Sequence, residues 1–260
     1  MKTLLAKKPK NLISTGDIFI LGNHRLACGD CRDPGLVSRL IQNDQIKLIL
    51  TDMPYGVAVV ESKETFRNQI RSHQPIANDH LQSNEAYYQF TKNFLEVIKP
   101  YLVKKNAAYL FNADKMLRPF LDGIEKAGYH FAQLLIWIKS QAVIGRLDYL
   151  PQHELIAYCW SGRHEFISSK DKSVLFCPKP AKSTLHATMK PVSLLRRLIL
   201  NSTRIGDTVY DCFGGSGSTL IAAEQTKRHC LMVEIEPHYC QIIIDRFEKI
   251  TGIKAIHIPN

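Results

Sequence analysis

The sequence predicts an α/β protein built on a doubly wound, mostly parallel sheet. Short, strongly apolar runs alternate along the chain with segments in which apolar residues recur at helical spacing. Strands that are buried on both faces form such continuous apolar runs, and crossover helices between them produce the alternation. The length of 260 residues fits one large domain of this class over residues 1–260, since no repeat, low-complexity tract or linker divides the chain.

Apolar runs of five or six residues are predicted to form the strands. They are Ile46 to Thr51, Ala107 to Phe111, Gln133 to Ile138, Glu154 to Tyr158, Thr208 to Cys212 and Cys230 to Glu234. The helices are predicted at Asn84 to Lys99, Lys115 to Ala127, Val192 to Asn201, Ser218 to Thr226 and Pro237 to Thr251. Asn112-Ala113-Asp114 is expected to cap the helix that follows it, Gly128 to end that helix, and Pro237 to occupy the first turn of the last one.

Two polar stretches do not fit this alternation. Residues 57–81 carry Lys63, Arg67 and Arg71, and residues 161–184 carry several lysines among turn-forming residues. Long loops inside a compact domain are usually functional or disordered, so both are expected to be inserted loops and candidate elements for recognition of a nucleic acid.

Charge and cysteine content restrict the function classes. Lys plus Arg number 34 and Asp plus Glu 24, which gives a net charge of +10 and favours a polyanionic partner. The seven cysteines are odd in number and dispersed, so we expect reduced thiols. Cys28 and Cys31 have no second pair at zinc-finger spacing, so no metal is expected. Without a cleavable leader or an uninterrupted apolar run of about 18 residues, the sequence indicates a cytoplasmic protein without membrane contact.

A glycine-rich turn is expected between the strand at Thr208 to Cys212 and the helix after it. The turn runs from Asp211 to Thr219, and the next strand ends in Glu234, about twenty residues further on. Glycines allow the backbone to approach a ligand closely, and a carboxylate at that spacing can accept both ribose hydroxyls. The pattern indicates a site for an adenosine-containing cofactor. Taken alone, it also fits a tight turn with a surface Glu.

A second cluster of polar residues directly follows the first predicted strand. Asp52, Pro54 and Tyr55 would lie at its carboxyl end, where open α/β sheets bind ligands. Proline lacks an N–H group, so nearby carbonyls can remain free as acceptors. Asp52 and a backbone carbonyl could therefore hold the two hydrogens of an amino group, while Tyr55 offers a flat face to a base. An ordinary Asp-x-Pro turn explains the cluster equally well when it is considered alone.

Together these segments resemble the S-adenosylmethionine-dependent amino-methyltransferases of DNA. The Asp-Pro-Pro-Tyr hallmark of that family is represented by Asp52-Met53-Pro54-Tyr55, and its Phe-x-Gly-x-Gly turn by Phe213 to Gly217. His186 to Pro191 is similar to the family's His-x-Thr-x-Lys-Pro box. The catalytic box precedes the cofactor turn, as in the permuted β group. The resemblance implies a Rossmann-like methyltransferase fold with permuted motif order, and it covers nearly the whole chain except the two polar stretches.

The resemblance also implies a role for each matching position. Asp52, Met53, Pro54 and Tyr55 would be the catalytic residues, with Tyr55 stacking on a flipped base. Glu234 would hold the ribose of S-adenosylmethionine, Thr188 and Lys190 its carboxylate, and Asp30 would line the adenine pocket. The full set implied for the cofactor is Asp30, Asp52, His186, Thr188, Lys190, Asp211, Phe213, Gly214, Gly215, Ser216, Gly217, Ser218 and Glu234. The expected partner is double-stranded DNA, contacted through Lys63, Arg67 and Arg71, and a homodimer is compatible with the group.

Three functions remain open from the sequence. The first is transfer to the N6 amine of adenine in DNA: the resemblance implies adenine because Asp stands at position 52, where Ser is typical of the cytosine-N4 members, and transfer to the N4 amine of cytosine is its alternative. Met53 replaces the first proline of the hallmark, so a catalytically impaired relative that still binds DNA or cofactor is the second hypothesis. A methyltransferase that acts on RNA or on a protein amide is the third, although the permuted order of the boxes and the basic stretches argue against it.

Overall fold

The computed structural model describes residues 13–56, 82–142, 148–168, 170–178 and 189–258. Its strands are β1 (Ile18–Leu21), β2 (His24–Cys28), β3 (Ile46–Asp52), β4 (Leu102–Asn112), β5 (His130–Ile138), β6 (His153–Trp160), β7 (Arg163–His164), β8 (Val174–Phe176), β9 (Thr208–Asp211), β10 (His229–Glu234) and β11 (Ile256–Ile258). Its helices are α1 (Pro34–Ile41), α2 (Asn84–Ile98), α3 (Leu117–Lys126), α4 (Val192–Ser202), α5 (Ser218–Gln225) and α6 (Pro237–Thr251). None of these helices is long and apolar enough to cross a membrane.

The strands form one mostly parallel sheet in the order β11-β1-β2-β10-β9-β3-β4-β6-β5-β8, with β7 paired to β4. Strands β2, β10, β9, β3 and β4 run parallel, so their carboxyl ends meet at one edge. Strand β6 runs antiparallel to both of its neighbours, β4 and β5. Its amino end therefore lies at the edge where the parallel strands finish.

Helices cover both faces of the sheet. On β3, Ile49 belongs to the apolar cluster that includes residues of α1, α2 and α3. Its neighbours Leu48 and Leu50 belong to the cluster that includes residues of α4, α5 and α6. All three side chains are fully buried, as expected for a strand whose alternating side chains enter two cores. The doubly wound α/β architecture is therefore confirmed.

The predicted strands and helices are all present, with ends that move by a few residues. The cap predicted at Asn112-Ala113-Asp114 is wrong. A 3-10 turn at Asp114–Met116 precedes α3, which has no side-chain cap. The Asn112 and Asp114 side chains instead accept from the N–H groups of Ala113 and Lys115, their immediate neighbours in the chain. Such local bonds compete with capping.

The other two predicted helix ends are confirmed. Gly128 has a positive φ of 79°, and its N–H donates to the carbonyl of Glu125. Pro237 lies in the first turn of α6.

Several short elements were not predicted. Strands β1, β2 and β11 extend the sheet on one side and α1 follows β2, while β7 and β8 lie within the expected polar stretch at residues 161–184. Each of these strands has five residues or fewer, and, unlike the equally short β9, none is followed by a glycine-rich turn that would mark it. The N-terminal strands matter for the site, because β2 pairs with β10 and brings Gly29-Asp30 beside Glu234.

Close packing of α2 against α3 depends on Gly123. A Cβ atom at this position would lie 2.8 Å from Thr91 Cβ and 2.9 Å from the Tyr88 carbonyl oxygen. Gly123→Ala should therefore lower the free energy of unfolding by about 1–2 kcal/mol, because overpacking outweighs the better helix propensity of Ala. Denaturant unfolding measures the change, and the exposed neighbour Asp122→Ala is the control. Unchanged or increased stability of Gly123→Ala would contradict the packing argument.

Candidate active site

Acidic side chains converge at the edge of the sheet where the parallel strands end. Asp52, Asp211 and Glu234 are the last residues of β3, β9 and β10, which are neighbours in the sheet. The Thr51 hydroxyl donates to Asp211 Oδ1 over 2.7 Å, although 160 residues separate the two in sequence. The two segments that the sequence singles out for chemistry and for cofactor binding therefore lie side by side.

Asp52 is held by two donors. Its Oδ2 contacts the Lys190 ammonium, and its Oδ1 accepts a hydrogen bond from the Tyr55 hydroxyl at 2.9 Å. The Tyr55 hydroxyl also lies 2.8 Å from Glu154 Oε2. An ionised carboxylate has about four lone-pair sites, so Asp52 can still accept from a further donor.

The charges around Asp52 influence its protonation. Burial raises the pKa of Asp52, and although Lys190 opposes this, the pKa stays above its ordinary value. Burial and the two nearby carboxylates raise the pKa of Tyr55 well above its ordinary value, so the phenol stays protonated as a donor. Burial alone would raise the pKa of Glu154, but Lys190 and Lys139 lower it below its usual range.

The backbone of the catalytic box is anchored on both sides of Met53. The Met53 side chain is 2% exposed and belongs to the core that includes residues of α1, α2 and α3. The Pro54 carbonyl accepts a hydrogen bond from the Tyr87 hydroxyl at 3.0 Å. Burying a Met side chain contributes roughly 1.5–3 kcal/mol, which holds this residue in place without a proline ring.

The cofactor residues predicted at β9 and β10 are buried acids with defined partners. Glu234 accepts from the N–H groups of Gly215 and Glu236, at 2.6 and 2.9 Å. Asp211 accepts from the Phe213 N–H at 3.1 Å as well as from Thr51. Burial raises the pKa of each carboxyl to about 7.

The glycine-rich turn follows β9 and leaves no room for side chains at its tightest points. A Cβ at Gly214 would lie 2.8 Å from the Met232 sulfur, and Gly217 has a φ of 75°. Gly217 precedes α5 without a side-chain cap, so N–H groups at that helix end remain available to an anionic ligand. Arg246 donates to the Ser216 carbonyl at 2.8 Å and to Ser218 Oγ at 3.1 Å. Sequence reasoning did not identify Arg246, since one Arg on a helix has no distinctive pattern.

Asp30 lies beside this turn but already has a partner. The Arg32 guanidinium donates to both carboxylate oxygens, with the shortest contact at 2.6 Å. Burial raises the pKa of Asp30, but the bonds from Arg32 outweigh this and hold it below its ordinary value. Arg32 lies 5.2 Å from the centre of the Phe90 ring, which in turn contacts Phe213 at 5.7 Å between centroids. Arg32 and Phe90 therefore border the expected cofactor turn, and no sequence motif indicated them.

Other expected site residues lie elsewhere or outside the described residues. The Lys190 ammonium lies between Asp52 and Glu154 and forms ion pairs with both carboxylates. Its expected contact with the cofactor carboxylate stays a prediction. His186 and Thr188, and the proposed DNA contacts Lys63, Arg67 and Arg71, fall outside the described ranges. Within those ranges, no group of three or more His, Cys, Asp or Glu side chains could hold a metal ion.

A family model described as DNA methylase, for the N6 and N4 enzymes, matches residues 46–245. The chain belongs to the N6/N4 DNA methylase family. The match includes both the catalytic box and the cofactor turn, and so it confirms the relationship that the motifs indicated.

Individual relatives agree with this membership. The type II methyltransferase M2.LlaDCHI of Lactococcus lactis subsp. cremoris is 38% identical over 228 residues, which is 80% of this chain and 84% of that protein. The crystal structure of an M1.HpyAVI-SAM complex has a TM-score of 0.62 at 19% identity and covers 85% of this chain and 98% of the other. The cytosine-N4-specific PvuII DNA methyltransferase has a TM-score of 0.66 at 16% identity, over 89% and 91% of the two chains. Both structures share the fold of this methylase.

S-adenosylmethionine is the cofactor of this methylase, and the residues at β9 and β10 fit it. Glu234 keeps lone pairs beyond its two backbone bonds, so it can accept from the hydroxyls of a ribose. Because Gly214 is too crowded for a side chain, the backbone of the turn can approach a ligand closely. The uncapped end of α5 is suited to a carboxylate.

The protonation of Asp211 should make stability depend on pH. Because its folded-state pKa of about 7 lies above the ordinary 3.8, the folded protein keeps a proton that the unfolded chain releases between these values. Stability from this group is complete at low pH and is lost as pH rises toward 7. Relative to Asp211→Asn, the wild type should lose about 1.4 kcal/mol of unfolding free energy per pH unit in that window.

Urea unfolding of both proteins from pH 4.5 to 7.5 measures this difference. Asp211 is one of the groups that raise the pKa of Glu234, so the comparison is repeated in a Glu234→Gln background, where that second carboxyl no longer titrates. A difference that stays constant across the range would show that Asp211 is not protonated in the folded state.

Proposed function

We propose that this methylase transfers a methyl group from S-adenosylmethionine to the N6 amine of adenine in double-stranded DNA, as one domain over residues 1–260. The observation that carries the proposal is the placement of Asp52. Its carboxylate ends β3 beside the cofactor turn, is 27% exposed, and has Tyr55 and Lys190 as fixed partners. Asp at this position favours adenine over cytosine within the family.

The proposed chemistry needs a hydrogen-bond acceptor at the amine. The exocyclic nitrogen of adenine is a weak nucleophile because its lone pair is conjugated with the ring. If Asp52 and a carbonyl of the box accept its two hydrogens, the nitrogen gains tetrahedral character as it reacts, which stabilises the transition state. S-adenosylmethionine supplies a methyl group whose carbon–sulfur bond breaks as the carbon–nitrogen bond forms. The proton lost from the amine passes to Asp52 and then to water.

The base must leave the duplex to reach Asp52. Enzymes that modify a base extrude it from the helix and stack it against an aromatic side chain. Tyr55 fits this role because Asp52 and Glu154 hold its hydroxyl, which keeps the ring beside the Asp52 carboxylate. The Lys190 ammonium lies 5.5 Å from the ring centre. We assign the flipped adenine to the face of the Tyr55 ring opposite Lys190.

Met53 supports an active enzyme rather than an impaired relative. Every residue has a backbone carbonyl, so replacement of proline by methionine removes no acceptor. Burial of the Met53 side chain replaces the rigidity that a proline ring would supply.

The partners belong to the same proposal. Lys63, Arg67 and Arg71 would contact the phosphates of the duplex, and the net charge of +10 agrees with such a partner. A second copy of the chain could enlarge the small surface available for target recognition. The protein would act in the cytoplasm, where its DNA is accessible.

Asp52→Ala should lower methyl transfer about 10²–10³-fold, because it removes the acceptor that stabilises the transition state. The measurement is mass spectrometry of nucleosides from unmethylated duplex DNA after incubation with protein and S-adenosylmethionine. Wild type is expected to yield N6-methyladenine. Calorimetry should show that Asp52→Ala still binds the cofactor.

The same experiment distinguishes the alternatives. N4-methylcytosine from the wild type would contradict the choice of base and leave the role of Asp52 standing. An inactive wild type together with an active Met53→Pro variant would identify an impaired relative. Substantial methylation by Asp52→Ala would refute the role of this residue.

The triple variant Lys63→Ala, Arg67→Ala, Arg71→Ala should bind duplex DNA more weakly because it neutralises fewer phosphates. The slope of log affinity against log salt should become less steep by about 0.9 for each phosphate that is no longer neutralised. Fluorescence anisotropy at several salt concentrations measures this. The control is a second triple variant, which removes the same charge from the exposed positions Lys104, Lys126 and Lys249 by substitution with Ala. It should change the slope less. Equal slopes for the two triple variants would exclude the assignment.

A further inference from the structure

A chain of four charged side chains starts at Asp52 and extends beyond the sequence motifs. The Lys190 ammonium contacts Asp52 and lies 3.1 Å from Glu154 Oε2. Lys139 Nζ lies 2.8 Å from Glu154 Oε1. The charges alternate in sign and sum to zero, and both lysine side chains are less than 10% exposed. Because a buried charge is strongly unfavourable without its partner, each group depends on the next.

The reversed direction of β6 places Glu154 in this chain. Glu154 is the second residue of β6 and pairs in register with Trp137 of β5. Since β6 runs antiparallel to β4, its amino end lies beside the carboxyl end of β4. Lys139 directly follows β5 and reaches the same edge.

Glu154 and Asp52 compete for the hydrogen bond that the Tyr55 hydroxyl donates. The Tyr55 hydroxyl lies 2.9 Å from Asp52 Oδ1 and 2.8 Å from Glu154 Oε2. A phenol has a single proton, so it can donate to only one carboxylate at a time. Glu154 therefore controls both the Tyr55 hydroxyl and the second contact of Lys190.

We propose that Glu154 is a positioning residue for methyl transfer, which aligns Tyr55 and Lys190 on Asp52, and that Lys139 holds Glu154 in place. This inference rests on the proposed function. With Lys190 on Oδ2 and Tyr55 on Oδ1, the remaining lone pairs of Asp52 point toward the amine. When Asp52 takes the proton released by the methylated amine, the Tyr55 proton turns to Glu154, which stays ionised between its two lysines.

The inference predicts opposite effects of two substitutions on the titration of Asp52. The charged and titratable groups near Asp52 are Lys190, Tyr55, Glu154 and Asp211. Glu154→Gln removes a nearby negative charge, so that Asp52 becomes the only carboxylate paired with Lys190. The titration midpoint of Asp52 should therefore fall by about 1 pH unit. Lys139→Gln removes a positive charge and lets Glu154 draw Lys190 away, so the midpoint should rise.

Carboxyl ¹³C NMR of the free protein measures these midpoints, with Asp52→Asn identifying the resonance. Glu154→Gln should also lower kcat about 10–10²-fold through misplacement of the acceptor, with both KM values changed less than about threefold. The acid limb of its kcat profile should move to lower pH, and that of Lys139→Gln to higher pH. Glu125→Gln, at an exposed position on α3, is the control and should change neither property.

The measurements separate the role of Glu154 from the proposed methyl transfer. Asp52 midpoints that stay fixed or move in the same direction, with kcat of Glu154→Gln near that of an active wild type, would overturn the role of Glu154. If Glu154→Gln does not fold, Lys139→Gln decides by the direction of its shift. A wild type that methylates neither adenine nor cytosine would overturn the proposed function, a result that the mass spectrometry identifies separately.

Discussion

Pairing between β3 and β9 is the constraint on which the site depends. These strands lie about 160 residues apart in sequence, yet their parallel register brings Thr51 within hydrogen-bonding distance of Asp211. Parallel strands carry their following turns to the same edge of a sheet, so the segment Asp52 to Tyr55 and the glycine-rich turn become neighbours through this one pairing. The helices on both faces bury the apolar side chains of β3 and fix the register.

The sequence predicted most of the fold because the central strands are apolar and buried and alternate with helical segments. Asp52, Asp211 and Glu234 could also be placed, since each ends such a strand and parallel strands end at one edge. The short N-terminal strands were missed, whereas the equally short β9 was predicted because a glycine-rich turn and a helix follow it. This omission hid the pairing by which β2 brings Gly29, the neighbour of Asp30, to Glu234.

Contacts between side chains that are distant in sequence could not be predicted either. Nothing in the sequence spacing of Glu154 and Lys139 indicated that they meet Lys190 and Tyr55. Their contact depends on the antiparallel direction of β6, and an apolar run looks the same in either direction. Arg32, Phe90 and Arg246 were missed for a related reason, because their partners become neighbours only after folding.

The reversal of β6 also affects how the edge of the site can vary. Where two parallel strands are joined, the connection must cross a face of the sheet, usually as a helix, and its length is tied to core packing. Strands β5 and β6 are antiparallel neighbours, and the Lys139 N–H bonds to the Gln152 carbonyl. Their connection therefore starts and ends at the edge that holds Asp52. Insertions or exchanges in this connection can therefore change that edge while the strands that end in Asp52, Asp211 and Glu234 remain unchanged.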